Sequence, residues 1–423
     1  MSSFKSVLTG LLLSFIAFDV IAESVSLRET PSLTLSQAIE KTLLQSPEIK
    51  ASIRTAEVYN ARQQQAELGT NPTLTATAED FLGSGEVSGL DAMQATLSLN
   101  FVLDRSLVSS RSQQAYAATS LAAVSTELTR VDAAAETARR FINVLGIEAQ
   151  LVEQRLALQL SEQSLATVKQ AVTAGRRHAG DLYRAKTVVS KAKLAIEDNE
   201  HELKVARHLL AARWGSSSPD FHRLEGDPTK LPDPKSWPNI LNSLDQSPLK
   251  EKFLSEERLA QSTLVLEQSK SRKPLEYQVG IRHLGVSDDV AFVAGVSVPL
   301  GWRNQNQGNI KAAEKEFEVI EARQAAITVE LRARLFELYQ NLQQSLHRSD
   351  VLENDIIPNL VEAYELTQVA FEQGRYNYQE LQSLQRELLE TKRQLIRTNV
   401  QAHFQVIEIE RLTGTAISKE YAL

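Results

Sequence analysis

Met93-Gln94-Ala95-Thr96-Leu97-Ser98-Leu99-Asn100-Phe101-Val102-Leu103 alternates almost without fault. Met93, Ala95, Leu97, Leu99, Phe101 and Leu103 share one parity, and Gln94, Thr96, Ser98 and Asn100 share the other. A period of two is the signature of a strand with one apolar and one polar face. A second run over residues 73–82 precedes it, beyond Pro72, and the Gly-rich polar stretch Gly83-Ser84-Gly85-Glu86-Val87-Ser88-Gly89 joins the two as a hairpin. The strands are thus expected at about 73–82 and 92–103.

The same pattern returns about 200 residues later. In 275–285, Leu275, Tyr277, Val279 and Ile281 oppose Glu276, Gln278, Gly280 and Arg282. In 290–300, Val290, Phe292, Ala294, Val296 and Val298 oppose the small residues Ala291, Gly295 and Ser297. Other landmarks recur at nearly the same offset: Gln45-Ser46-Pro47 as Gln246-Ser247-Pro248, Pro72 as Pro274, Leu103 as Leu300, Gly175 as Gly374, and Gly215 as Gly414. The period is too long for a solenoid unit. It describes one unit used twice, ordered helix, two strands, long helix, turn, long helix. The expected organisation is a first repeat over 23–215, a Pro-rich linker over 216–238, a second repeat over 239–414 and a tail over 415–423.

The long helices are read from the lack of breakers. Residues 106–174 contain only Gly146, and at 1.5 Å per residue roughly 70 residues make a rod of about 105 Å. Further helices are expected over 34–68 with a break at Ser46-Pro47, over 181–214, over 309–373 with an interruption at Pro358, and over 378–412. Leu381, Leu384, Leu388, Leu395 and Val400 are spaced for coiled-coil packing, which makes that stripe core rather than ligand site. The tail after Gly414 is expected to be loosely held.

Composition narrows the function. The 423 residues carry a net charge of -7, which argues against a nucleic-acid partner, since phosphate binding needs Lys and Arg. There is no Cys, hence no disulfide, thiolate metal site, Cys nucleophile or lipid-modified N-terminal Cys. Residues 1–22 read as a secretory signal, with basic Lys5, an apolar run from Val7 to Ile21 and small residues near Ala22. Asp19 is unusual within that run, and a buried N-terminal helix is the alternative. His201 and His208 share a helical face near Glu200 and Glu202, but a metal site needs three or four converging ligands. No P-loop, G-x-S-x-G or H-E-x-x-H motif is present, so no enzyme, cofactor or resident metal is expected.

Ten-residue strands suit a tilted transmembrane strand. A soluble four-stranded sheet covered by helices, with its polar side in water, is the other reading. If the sheet spans a bilayer it must close, and four strands are half the smallest common barrel. Each chain would then contribute its hairpins to a shared barrel, with the charged helices projecting away from it.

This plan and its proline and glycine landmarks resemble TolC-type outer-membrane efflux factors over 34–414. The resemblance implies a mainly α fold with a small β part. It also implies a homotrimer with a 12-stranded outer-membrane barrel, continued by a periplasmic α-helical coiled-coil tunnel. The implied partners are a periplasmic adaptor (a membrane fusion protein) and an inner-membrane RND-type pump. The segment Val298-Pro299-Leu300-Gly301-Trp302-Arg303-Asn304-Gln305-Asn306-Gln307-Gly308-Asn309 resembles the "PL…NRNQG" segment of CzcC-like subunits of heavy-metal cation exporters. It departs from it at Gly301-Trp302 and in the order Asn304-Gln305. Glu410-Arg411-Leu412-Thr413-Gly414 is also typical of that group. An exit duct for drugs or secreted protein is the alternative cargo class, and a periplasmic coiled-coil scaffold without a pore is the alternative of another kind.

The helix–helix turns align as Gly175-Arg176-Arg177-His178-Ala179-Gly180-Asp181 with Gly374-Arg375-Tyr376-Asn377-Tyr378-Gln379-Glu380. In each, a carboxylate follows the glycine by six residues. The resemblance makes Asp181 and Glu380 gate candidates at the tunnel tip. It makes Gly175, Arg176, Arg177, Gly374, Arg375 and Tyr376 candidates for adaptor docking or for tying hairpins together. Acids in a first helical turn also serve capping and the helix dipole, so the bland reading stays open. The polar strand face, Gln94, Thr96, Ser98, Asn100, Glu276, Gln278 and Arg282, would line the barrel lumen.

Overall fold

The computed structural model describes residues 32–299, 303–415 and 417. The signal segment 1–22, the end of the fourth expected strand at Leu300, Gly301-Trp302 and most of the tail lie outside them.

The chain opens with a two-residue strand, β1 (Ser32–Leu33), and then α1 (Leu35–Gln45) and α2 (Pro47–Ala66). Thr34 and Gln37 form a reciprocal capping box at the start of α1. Pro47 opens α2, where its missing N–H costs nothing. Strands β2 (Thr73–Glu79) and β3 (Gln94–Leu103) form the first hairpin. The first strand stops short of the expected residue 82 because Asp80 and Leu82 take positive φ (59° and 56°) and turn the chain out of the ladder. Helix α3 (Arg105–Thr173) runs 69 residues without interruption, about 104 Å, and α4 (Ala179–Ala211) returns beside it.

The linker region is more ordered than its prolines suggest. Arg223–Leu224 forms β4, paired in parallel with β1, while Phe221 and Leu224 are buried in the main core. The second copy begins inside the expected linker with α5 (Trp237–Asp245), followed by α6 (Pro248–Lys270), β5 (Leu275–Leu284) and β6 (Asp289–Ser297). Helices α7 (Gln307–Val351) and α8 (Ile357–Glu372) are not separated by a break at Pro358. A π turn, Leu352–Ile356, joins them, and its wider spacing admits the proline ring while the chain stays helical. Helix α9 (Tyr378–Thr413) ends the second copy. Of the tail, only 415 and 417 are described, and Ile417 is buried against the core.

Apolar burial is concentrated where the helices of both copies cross. Phe141, Ile142, Val144 and Leu145 of α3, Leu335, Leu338 and Leu342 of α7, and Ala402 and Ile407 of α9 meet Leu210, Trp214 and Ile240 there. The repeat landmarks also meet in space. Gly215 closes the first copy against Pro47, and Gly414 closes the second against Pro248, both in the left-handed region (φ 81° and 69°).

The strands form one antiparallel sheet in the order β2-β3-β5-β6, so β2 and β6 are its edges. The register places Thr77, Thr96, Arg282 and Ala291 in one row, and Thr73, Asn100, Gln278 and Gly295 in another. On the inner strands the polar parity is the more covered one: Thr96 and Ser98 are 8% and 6% exposed and Gln94, Asn100, Gln278 and Arg282 are half-buried, whereas Glu276 and, on the edge strand, Thr73, Thr77 and Glu79 are exposed. The apolar parity is open: Leu97, Leu99, Val279 and Ile281 are 42–50% exposed and Phe292 94%. A soluble sheet with its polar side in water would show the reverse.

Candidate functional site

Two regions hold the residues singled out above: the turns far from the sheet, and the covered face of the sheet itself.

The α3–α4 and α8–α9 turns are built by the same backbone device. At the first, Arg176 N–H bonds Ala171 C=O and Gly175 N–H bonds Val172 C=O; at the second, Arg375 N–H bonds Ala370 C=O and Gly374 N–H bonds Phe371 C=O. Both are Schellman motifs, which require a left-handed residue, and Gly175 and Gly374 supply it at φ 69° and 77°. The two turns then cap their next helices differently. His178 Nδ1 accepts from Gly180 N–H at 3.0 Å, while Asn377 forms a capping box with Glu380.

Asp181 and Glu380 fall at the same third helical position of α4 and α9. Their surroundings differ. The Glu380 carboxylate accepts the Asn377 N–H at 3.1 Å and the Glu380 N–H donates to Asn377 Oδ1 at 3.0 Å, so this acid starts a helix as well as carrying charge. Asp181 has no such capping bond; it is partly covered and lies close enough to Tyr378 to act on it electrostatically. Burial, and secondarily the Asp181 charge, pushes the Tyr378 phenol up, so it stays protonated.

The two tips are fastened together within one chain. Arg177 Nη2 donates to the Tyr376 carbonyl, and its guanidinium lies 4.7 Å from the Phe371 ring centre. Beneath them Val168, Ala185, Phe371, Tyr378, Leu381 and Leu388 form a second apolar cluster. Arg177 and Tyr376 are repeat equivalents, so one tip grips its own counterpart. Nothing in either turn's local sequence announces this bond; the only signal is the shared offset. Arg176, Arg375 and Tyr376 have exposed side chains at the ends of the turns. A groove of about 670 Å³ runs between α4 and α9 above α3, lined by Tyr183, Arg184, Lys191, Gln385, Arg386 and Arg393 among others.

On the sheet, Gln94, Thr96 and Arg282 are brought together. Arg282 Nε donates to Thr96 Oγ1 at 2.9 Å and Nη1 to Gln94 Oε1 at 3.3 Å. Asn100 donates to Thr75 Oγ1 at 2.7 Å, Ser98 sits opposite Gly280, and Gln278 packs over Gly295. Glu276 shares their parity but lies at the helical end, exposed and away from the Arg282 group. Among the described residues there is no group of three or more His, Asp or Glu arranged to hold a metal ion. His201 and His208 stand on α4 and belong to no such group among the described residues.

The family model described as "Outer membrane efflux protein" matches residues 266–415. The cobalt-zinc-cadmium resistance protein CzcC of Cupriavidus metallidurans is 23% identical over 382 residues, covering 90% of each chain. Among solved structures, the outer membrane protein VceC of Vibrio cholerae superposes with a TM-score of 0.73 at 15% identity, covering 91% of this chain and 97% of that one. CusC superposes with a TM-score of 0.70 at 16% identity, covering 92% and 93%. The resemblance read from the sequence is borne out, and the fold is that of the outer-membrane efflux channels.

Proposed function

We propose that this chain, a relative of the outer membrane efflux proteins, is the outer-membrane exit duct of a tripartite efflux system. The observation that carries the reading is the inside-out sheet with two open edges. Its exposed side is apolar, its covered side is polar, and β2 and β6 have no outer neighbours among the described residues. Unpaired edges cannot remain open in hydrocarbon, so copies of the chain must join them. Three copies, the number the family resemblance implies, make a 12-stranded barrel. The ten residues of β5 extend about 33 Å, or about 23 Å when tilted by about 45°, which fits an apolar band of about 25 Å. No described helix is long and apolar enough to cross a membrane, so the long helices project as the periplasmic tunnel.

The duct is passive. A periplasmic adaptor would seat on the tips around Gly175, Arg176, Arg177, Gly374, Arg375 and Tyr376, and an inner-membrane RND-type pump would supply the energy. Asp181 and Glu380, two per chain, would ring the tip with negative charge, which attracts cations. The cargo is inferred to be heavy-metal cations, supported by the relation to CzcC and by these acids.

Fractionation tests the membrane reading: the mature protein should resist extraction from outer membranes, and a wholly soluble protein would leave a periplasmic scaffold as the account. A deletion strain tests the cargo. Increased sensitivity to zinc, cobalt, cadmium, copper or silver is expected; unchanged tolerance to all of them with new drug sensitivity or a secretion defect would reassign the duct.

A further inference from the structure

The two rims of the sheet carry opposite charge. At the hairpin rim, residues 79–94 and 282–289 hold six acids against one arginine, Arg282, which lies 3.5 Å from Glu79. At the helical rim the sign reverses. The connections there and the two helical turns beside each, residues 60–72, 104–111, 264–276 and 298–313, hold eight Lys and Arg against four acids. Three of those acids accept hydrogen bonds: Glu67 from Gln63, Asp104 from Thr70, and Glu267 from Lys270 and Asn306. The fourth, Glu276, belongs to the polar parity of β5. Arg105, Arg272 and Arg303 are exposed and have no ion pair among the described residues. These segments are gathered in space. Ser110 Oγ and Ser269 Oγ lie 2.6 Å apart, Arg111 donates to the Ala66 and Leu68 carbonyls, and Lys273 Nζ donates to Gln305 Oε1 at 3.3 Å. A second feature marks the same rim. On the open apolar parity Phe101 pairs with Tyr277, two rows from the end of the β3–β5 ladder, and their rings stack at 5.1 Å with 12° between planes.

Resting on the duct reading above, we infer that the helical rim is a binding surface for anionic phospholipid headgroups. Arg105, Arg272, Lys273 and Arg303 are its phosphate contacts, and the Phe101–Tyr277 pair sits where headgroups give way to acyl chains. Aromatic rings collect in that amphipathic zone, at the end of the apolar band of a spanning sheet. Bases that no protein carboxylate neutralises keep their charge for phosphate, and each one near an anionic bilayer surface strengthens attachment about fivefold. Three of the four are arginines, whose planar fork presents two parallel N–H donors to a phosphate. The occupant is a lipid rather than free phosphate, because the bases border an apolar face that acyl chains cover. The six acids of the other rim repel the same headgroups, so the charge also fixes which way the sheet is inserted: helices on the phospholipid side. Depth follows as well, since the bases cannot follow Leu103 and Leu275 into hydrocarbon.

The test uses the purified full-length assembly, reconstituted in vesicles of equimolar phosphatidylcholine and phosphatidylglycerol and then extracted with detergent. Native mass spectrometry counts the lipids that stay bound. The parent should retain phosphatidylglycerol over phosphatidylcholine by at least about fivefold. Combining Arg105→Gln, Arg272→Gln, Lys273→Gln and Arg303→Gln should cut that enrichment to less than half, while Asp288→Asn with Asp289→Asn at the other rim should leave it unchanged. A smaller enrichment by the parent, or a smaller cut in the combined variant, overturns the inference. So does complete displacement of the retained lipid by inorganic phosphate, which would make the rim a site for the free anion. If the combined variant does not assemble, Arg105→Gln with Arg303→Gln and Arg272→Gln with Lys273→Gln are read separately, and enrichment unchanged in both overturns it. A parent that inserts and conducts but retains lipids without preference refutes the surface and leaves the duct standing; a parent that stays soluble refutes the duct itself.

Discussion

Val279 and Gln278 are neighbours at the same depth of β5, and the account requires opposite responses when each becomes arginine. Val279 lies mid-strand on the open apolar parity, half exposed. If that face meets lipid, a cation near the bilayer midplane costs about 2–4 kcal/mol. In the proposed trimer this multiplies to roughly 6–12 kcal/mol per assembly, comparable to the whole stability of a typical domain. Gln278 is on the covered polar parity, over Gly295, where a longer polar side chain can extend into an aqueous lumen. Gln278→Arg should therefore assemble almost normally. Were the apolar face in water, Val279→Arg would be an ordinary surface change, within about 0.5 kcal/mol of neutral. The assay is the fraction of protein that reaches outer membranes as heat-modifiable oligomer on unboiled gels, followed by guanidinium titration in lipid vesicles. Near-total loss for Val279→Arg with retention for Gln278→Arg is the expected pair. Equal behaviour of the two would refute the assignment of faces.

Asp181→Asn and Glu380→Gln should raise single-channel conductance and weaken tip-side block by multivalent cations; Gln keeps the capping box, whereas Glu380→Ala would also cost about 1 kcal/mol of helix start. Arg177→Ala should loosen the coupling of the two tips by about 1–3 kcal/mol, from a charged hydrogen bond and a cation–π contact, and limited proteolysis at 175–181 and 374–380 should quicken. Gly175→Ala meets open space and should cost only the left-handed backbone penalty, about 1–2 kcal/mol, while Gly414→Ala adds a Cβ 2.3 Å from Pro248 Cδ and should lower the melting temperature clearly further. His403 is fully buried in α9, and burial holds its imidazole below the usual histidine range. Because the folded value is lowered, its contribution is complete above about pH 6.5 and is lost as the pH falls toward the folded value. Melting temperatures measured from neutral to mildly acidic pH should drop less steeply in His403→Gln.

Much of this structure was legible in the residues, and the reasons are local. Period-two alternation exposes Gln94–Leu103 as a strand whatever surrounds it, and the lack of breakers exposes α3. The tips could be aligned because a Schellman turn needs glycine in the chain itself. Alternation gives two faces, however, and only the assembled sheet shows that Thr96 and Ser98 are covered while Phe292 is open. Pro358 misled because a π turn can absorb a proline that would break a regular helix. Two-residue β4 is too short to have a period, and it exists through pairing with Ser32–Leu33 some 190 residues away. Arg177 found its partner 199 residues on, where no local rule reaches. The capping role of Glu380 was visible in its spacing from Asn377 as the bland reading of an acid in a first turn; the hydrogen bonds show that this role is real.

The most direct test of the duct is electrical. Purified full-length protein, added from detergent to a planar lipid bilayer, should insert as discrete conductance steps of one unit size, favouring cations over anions. Absence of any steps from protein shown to be folded and oligomeric would contradict the central claim.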